Sequence, residues 1–210
     1  MIKLLSILFL TFLVSLGVYS QSIQTFGTIH EERAYDAILT SYYDYLIVGS
    51  TGINEDSTES DIYIVRMDTS GAVLWSSVIA VKGLDQATAV VEAPDGSFLI
   101  TGYTNAFSPN YDILICHISS TGDLISFDTD IGSDWDIGHD IVPTPDGGFL
   151  IVGETFSVNQ GKSQARTIKI DNAFTPSVFN TWGGEGDDGF LGATVLSNGV
   201  VAAVGYTELP

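Results

Sequence analysis

Acidic residues gather beside glycines at two places, "GSDWDIGHD" (132–140) and "GGEGDDG" (183–189), with a smaller version, "GLDQ", at 83–86. Asp134 with Asp136, and Glu185 with Asp187 and Asp188, offer hard oxygen ligands on flexible backbone, which is the chemistry Ca²⁺ requires. These five are the candidate metal ligands, and Ca²⁺ is the one cofactor they would suit. Neither spacing is that of an EF-hand loop, and "GGEGDDGF" approaches only one turn of a nonapeptide calcium array. The plainer reading, which the pattern favours, lets one carboxylate per loop cap the turn into the following strand.

"GSDWDIGHD" also holds Trp135 and His139, and with Asp85 of "GLDQ" these are the candidate ligand face. Polysaccharide hydrolysis would need paired carboxylates, but with 26 acids in the chain no pair stands out and no catalytic residue is assigned. The histidines, His30, His117 and His139, are too scattered for a His/Cys metal centre. Cys116 aligns with Val65 and Ile168 and reads as a buried small hydrophobe. Its neighbour His117 points to the other face of the strand, so it does not activate the thiol. His117 shares a position with Arg66 and Lys169 and is expected on the solvent side.

The elements that carry these loops are repeated. "YLIVGST", "FLITGYT", "FLIVGET" and "VAAVGYT" place Gly49, Gly102, Gly153 and Gly205 in one column, at spacings of 53, 51 and 52 residues. Two residues on stand Thr51, Thr104, Thr155 and Thr207; seventeen residues before each glycine stand Glu32, Asp85, Asp136 and Asp188. Three copies carry a turn dipeptide, Asp95-Gly96, Asp146-Gly147 and Asn198-Gly199, where the first has "SYYDY". Such a dipeptide between apolar runs is a hairpin signal, and it predicts type I′ turns with two positive φ angles.

One copy divides into four strands, "QATAVVEA", "SFLITGYT", "DILICHIS" and "DLISFDT". The second is apolar without alternation, which implies burial on both faces. A meander brings the acidic loops to the same side as the long connections between the second and third strands, and that side is the better place for a binding surface. "MDTSGAVLW" (67–75) reads as a hairpin whose Trp75 packs between sheets, because it misses the Asp-to-Trp spacing of sialidase Asp boxes.

A period near fifty belongs to propellers and related arrays. The pieces "GLDQATAV", "PDGSFLITGYT" and "SDIYIVRMDTSGAVLW" resemble the blade repeats of secreted bacterial β-propeller proteins across residues 21–210. The resemblance implies an all-β fold of four-stranded antiparallel blades, about 3.6 repeats in number, as a partial or open propeller. Units close near Gly49, Gly102, Gly153 and Gly205, and "SIQTFG" (22–27) resembles the close of a unit, as in "FNTWGG". An incomplete ring leaves sheet edges unpaired, so a truncated reading frame is the expectation.

Residues 1–20 carry one cation, Lys3, then an apolar run, and read as a secretory signal peptide. The run is shorter than the roughly twenty residues a bilayer core needs, so no stable membrane insertion is expected after cleavage. The chain has a net charge of −19, and removing Lys3 takes it to about −20. Such a surface repels phosphate backbones, which excludes nucleic acid as a partner. The sequence therefore predicts a secreted, extracellular or cell-surface binding or structural module, more readily non-catalytic than an enzyme. Its expected partner is a glycan or a cell-surface protein; the alternative is a fragment of a propeller-fold polysaccharide hydrolase or lyase.

Overall fold

The computed structural model of the chain describes residues 31–53, 59–159 and 161–208. The expected signal peptide, the "SIQTFG" segment and His30 lie outside the described residues. The chain forms β1 (Glu31–Leu39), β2 (Tyr45–Ile53), β3 (Asp61–Met67) and β4 (Val73–Ile79) as one sheet. The second sheet is β5 (Asp85–Glu92), β6 (Phe98–Thr104), β7 (Asp112–Ile118) and β8 (Leu124–Asp130). The third is β9 (Asp136–Pro143), β10 (Phe149–Asn159), β11 (Lys162–Ile170) and β12 (Pro176–Trp182), and a two-stranded sheet of β13 (Asp188–Val195) and β14 (Val201–Thr207) follows. Every pairing between named strands is antiparallel and joins sequence neighbours, one isolated parallel bridge links Ser60 to Leu84, and the described residues contain no helix.

The sheets pack face to face. Leu46, Val48, Ile62 and Ile64 of the first meet Phe98, Ile100, Leu114 and Cys116 of the second, while Leu99, Ile113 and Ile115 turn to Ile141, Phe149, Ile151 and Ile168 of the third. Strands β6 and β7 thus bury alternate residues against opposite neighbours, which is why their apolar runs do not alternate. Each such side chain contributes on the order of 1.5–3 kcal/mol on burial. Among the described residues the fourth sheet is covered by one neighbour, the third. Val204 is 67% exposed, whereas Val48 and Val152, one residue before the glycine in their own copies, are fully buried.

The glycine column has a steric cause. A Cβ on Gly49, Gly102, Gly153 or Gly205 would stand 1.7, 1.9, 2.0 or 1.8 Å from the carbonyl oxygen of Arg33, Gln86, Ile137 or Gly189 on the strand before. At the same place the register of each first hairpin slips, between Ala34 and Asp36, Ala87 and Ala89, Val152 and Gly153, and Phe190 and Gly192. Each first strand therefore carries a bulge that pushes its backbone onto the next strand, and only glycine fits beneath it.

The turns differ from the type I′ expectation. Gly96, Gly147 and Gly199 have positive φ, but Asp95, Asp146 and Asn198 do not. The chain makes a first turn with ordinary φ at the acid or amide, and only the glycine is left-handed. In the first copy Tyr43 fills the glycine's place at φ 60°, with the same hydrogen bonds, Thr40 N–H to Asp44 and Tyr43 N–H to Thr40. Phe174, at φ 63°, likewise replaces Gly71 and Gly122 in the turn between third and fourth strands.

His117 corrects another expectation, for it is buried. Its ring stacks on Phe174 of the next sheet at 3.9 Å, and Nε2 lies 2.8 Å from Ser97 Oγ. Arg66 and Lys169, in the same position, reach the equivalent turns through Asp44 (2.9 Å) and Asp146 (2.8 Å). These polar ends tie the third strand to the first turn rather than facing solvent. Cys116 is fully buried as expected, and burial pushes its thiol up to about 12. Trp75 packs against the Gly122 turn of the next sheet, where a Cβ would stand 2.7 Å from the indole.

Candidate functional site

The loops that lead into β5, β9 and β13 are pinned to the outgoing ends of the second strands. Asn105 N–H donates to Leu84 O (3.1 Å), Phe156 N–H to Trp135 O (2.8 Å) and Glu208 N–H to Asp187 O (2.8 Å). The two loop sets therefore share one side of the molecule, as the meander requires.

The acid column does its work inside this join. Asp85, Asp136 and Asp188 stand opposite Thr104, Thr155 and Thr207 in the hairpin registers, and those threonines hydrogen-bond their carboxylates. Thr51 donates in the same way to Glu32 at 3.2 Å. Asp85 also accepts the backbone N–H of Val81 (3.2 Å) and Asp188 that of Gly184 (2.8 Å), each four residues earlier, which closes the lead-in loop. Asp136 Oδ2 accepts from Ser157 (3.0 Å) and lies where a Cβ on Gly132 would go.

Burial has an electrostatic consequence. Asp85 and Asp136 are 0% and 2% exposed, and each keeps an Oδ1 with no hydrogen-bond partner. Desolvation, partly offset by the threonine bonds, pushes both carboxyls up to about 6. Asp85 therefore lies beneath the surface that the sequence assigned it to.

The five candidate calcium ligands occupy two separate loops. Asp134 uses Oδ1 to accept the Trp135 N–H at 2.9 Å. Asp187 is held by the Lys162 ammonium (2.6 Å) and the Ser163 N–H (2.8 Å), which together keep it below the usual carboxylate range. Asp188 points into the loop closure already described, and Glu185 is exposed. Among the described residues no three His, Cys, Asp or Glu side chains converge as a metal centre would need.

Trp135 and His139 diverge. Trp135 is 46% exposed and stands edge-on to Tyr111, with centroids 5.0 Å apart and planes at 72°. Tyr111 in turn leans on Tyr103 at 4.8 Å. The strip is rigid at its root, since Asp136 N–H donates to Tyr111 O at 2.7 Å and the Trp135 carbonyl is held by Phe156. It lies between two complete sheets. His139 sits in the β9 bulge and meets Glu154 at 3.2 Å, while the other Glu154 oxygen accepts the Tyr206 hydroxyl of the fourth sheet. The imidazole, and after it the tyrosine, hold Glu154 below the usual range against the opposing effect of burial. Beyond this network a cleft of about 290 Å³ opens between Trp182 and Ala165 of the third sheet and Phe190, Tyr206 and Thr207 of the fourth.

Sequence reasoning missed Tyr103, Tyr111, Glu154 and Tyr206. The available signal was positional: Tyr103, Glu154 and Tyr206 are the middle residue of Gly-x-Thr, and Tyr111 directly precedes β7. Compared with known proteins, the chain matches no protein-family model and no curated protein.

Proposed function

We propose that this chain is an exported β-propeller-type binding module, three blades and the first half of a fourth, that holds a glycan on its lead-in-loop side. The observation that carries the reading is the strip of Trp135, Tyr111 and Tyr103, an exposed indole held edge-on to a second ring. Pyranose rings present flat C–H faces that pack on such rings, and a rigid aromatic binds with little loss of side-chain entropy. Export rests on the apolar leader at residues 1–20.

The geometry supports binding over hydrolysis. A glycosidase needs one protonated and one ionised carboxyl flanking an open bond, whereas Asp85 and Asp136 are buried against threonines and Glu154 is ionised in a network with His139. The test is a glycan array with the secreted chain and Trp135→Ala. Glycan binding that Trp135→Ala weakens by tenfold or more, with an unchanged melting temperature, supports the reading. An array on which no glycan binds would reject it.

A further inference from the structure

The charge around the aromatic strip narrows the ligand class, an inference that rests on the glycan reading above. Five of the six cations among the described residues already face carboxylates: Arg33 with Glu31, Arg66 with Asp44, Lys162 with Asp187, Arg166 with Asp130 and Lys169 with Asp146. The sixth, Lys82, is exposed in the lead-in loop of the second sheet. Arg166 is the cation whose charge is felt at Asp136, and both its Nε and Nη2 bond Asp130 Oδ2, at 2.9 and 2.5 Å. A uronate or sulfated sugar at Trp135 would therefore meet a surface of carboxylates on which Lys82 is the one cation of the six outside an ion pair, on a chain of net charge −19.

An ammonium group meets the reverse. Asp134, the residue before Trp135, spends one carboxylate oxygen on the Trp135 backbone N–H, and its second oxygen is the acceptor a ligand would use. The indole face attracts cations through its quadrupole, more strongly than the rings of Tyr or Phe do. A sugar carrying a primary amine would place its ring on the aromatic strip and its charge between the indole and Asp134. We infer that the strip of Trp135, Tyr111 and Tyr103, with Asp134 beside it, selects amine-bearing glycans: oligomers of glucosamine rather than their N-acetylated or acidic counterparts.

Calorimetric titration of the intact chain with glucosamine hexamer, N-acetylglucosamine hexamer, oligogalacturonate and hexalysine tests this. The glucosamine hexamer is expected to bind at least tenfold more tightly than its N-acetylated form, and oligogalacturonate not at all. Trp135→Ala should weaken that binding about tenfold, and Asp134→Asn several-fold, with both variants melting as the parent does. Equal or tighter binding of the N-acetylated hexamer, with loss in Trp135→Ala, overturns the amine preference and leaves the glycan reading standing. Glucosamine hexamer and hexalysine bound alike, both indifferent to Trp135→Ala, would reduce the effect to attraction of any polycation and overturn the inference. If Trp135→Ala alters the fold, Trp135→Phe replaces it, and binding reduced in that variant in proportion to the smaller ring supports the site.

Discussion

Asp136 stands opposite Thr155 across the β9–β10 pair and keeps one buried carboxylate oxygen without a partner, and Asp85 repeats both features opposite Thr104. Each carboxyl is pushed up to about 6 in the folded protein from an ordinary value of 3.8, so folding favours the protonated form. The stabilisation is complete below about pH 3.8 and is lost as pH rises through about 6, and the part lost between pH 5 and 7.5 is on the order of 1–2 kcal/mol per group. Thermal melts should therefore show higher stability at pH 5 than at pH 7.5. The double variant Asp85→Asn/Asp136→Asn should flatten that difference; an unchanged slope would remove these two groups as its source.

The glycine column predicts a severe steric effect. Gly102→Ala puts a Cβ 1.9 Å from the Gln86 carbonyl oxygen, backbone against backbone, and should cost more than about 3 kcal/mol in urea unfolding. Gly184→Ala meets nothing within 4 Å and should stay within about 0.5 kcal/mol of the parent. Comparable losses at both sites would mean the bulge relaxes to admit a methyl group.

Two left-handed residues should respond to glycine in opposite directions. Tyr43 is 78% exposed at φ 60°, so Tyr43→Gly relieves backbone strain and should gain about 0.5–1 kcal/mol. Phe174 is under the same strain but stacks on His117 and, at 6.0 Å, on Phe149, so Phe174→Gly should lose about 1–2 kcal/mol. Chemical denaturation of the pair decides it, and a loss at Tyr43→Gly would show that its exposed ring matters more than its dihedral.

The fourth sheet presents a strand, β14, whose later residues are exposed. Val204→Lys places a charge on a 67%-exposed position and should leave the melting temperature nearly unchanged while lowering concentration-dependent light scattering. Val152→Lys, at the equivalent but fully buried position, should prevent folding. Scattering that is the same in Val204→Lys and the parent would place self-association on another surface.

Much of this architecture was legible because the chain states it four times. Strands β5 to β8 fall where one copy divides into apolar runs, and the Gly-x-Thr segments all lie on second strands of separate sheets. The turn dipeptides gave the right hairpins with the wrong dihedrals, since Asp-Gly is compatible with either turn and the bulged geometry depends on backbone contacts that spacing does not show. The burial of His117 was hidden for a related reason. Arg66, His117 and Lys169 look like a solvent-facing column until the turns that receive their polar ends are placed beside them. Trp135 was visible as the odd aromatic in an acidic loop, but its neighbours Tyr103 and Tyr111 come from another sheet, and no local pattern joins them to it.

The closure of the lead-in loops before β5, β9 and β13, a carboxylate held by a threonine on the adjoining strand, uses no side chain of the exposed loop tip. Trp135 and its flanking residues are thus mounted on a standard socket whose fittings recur at every copy. Loop tips transplanted from one socket to another should seat without redesign of the strands beneath.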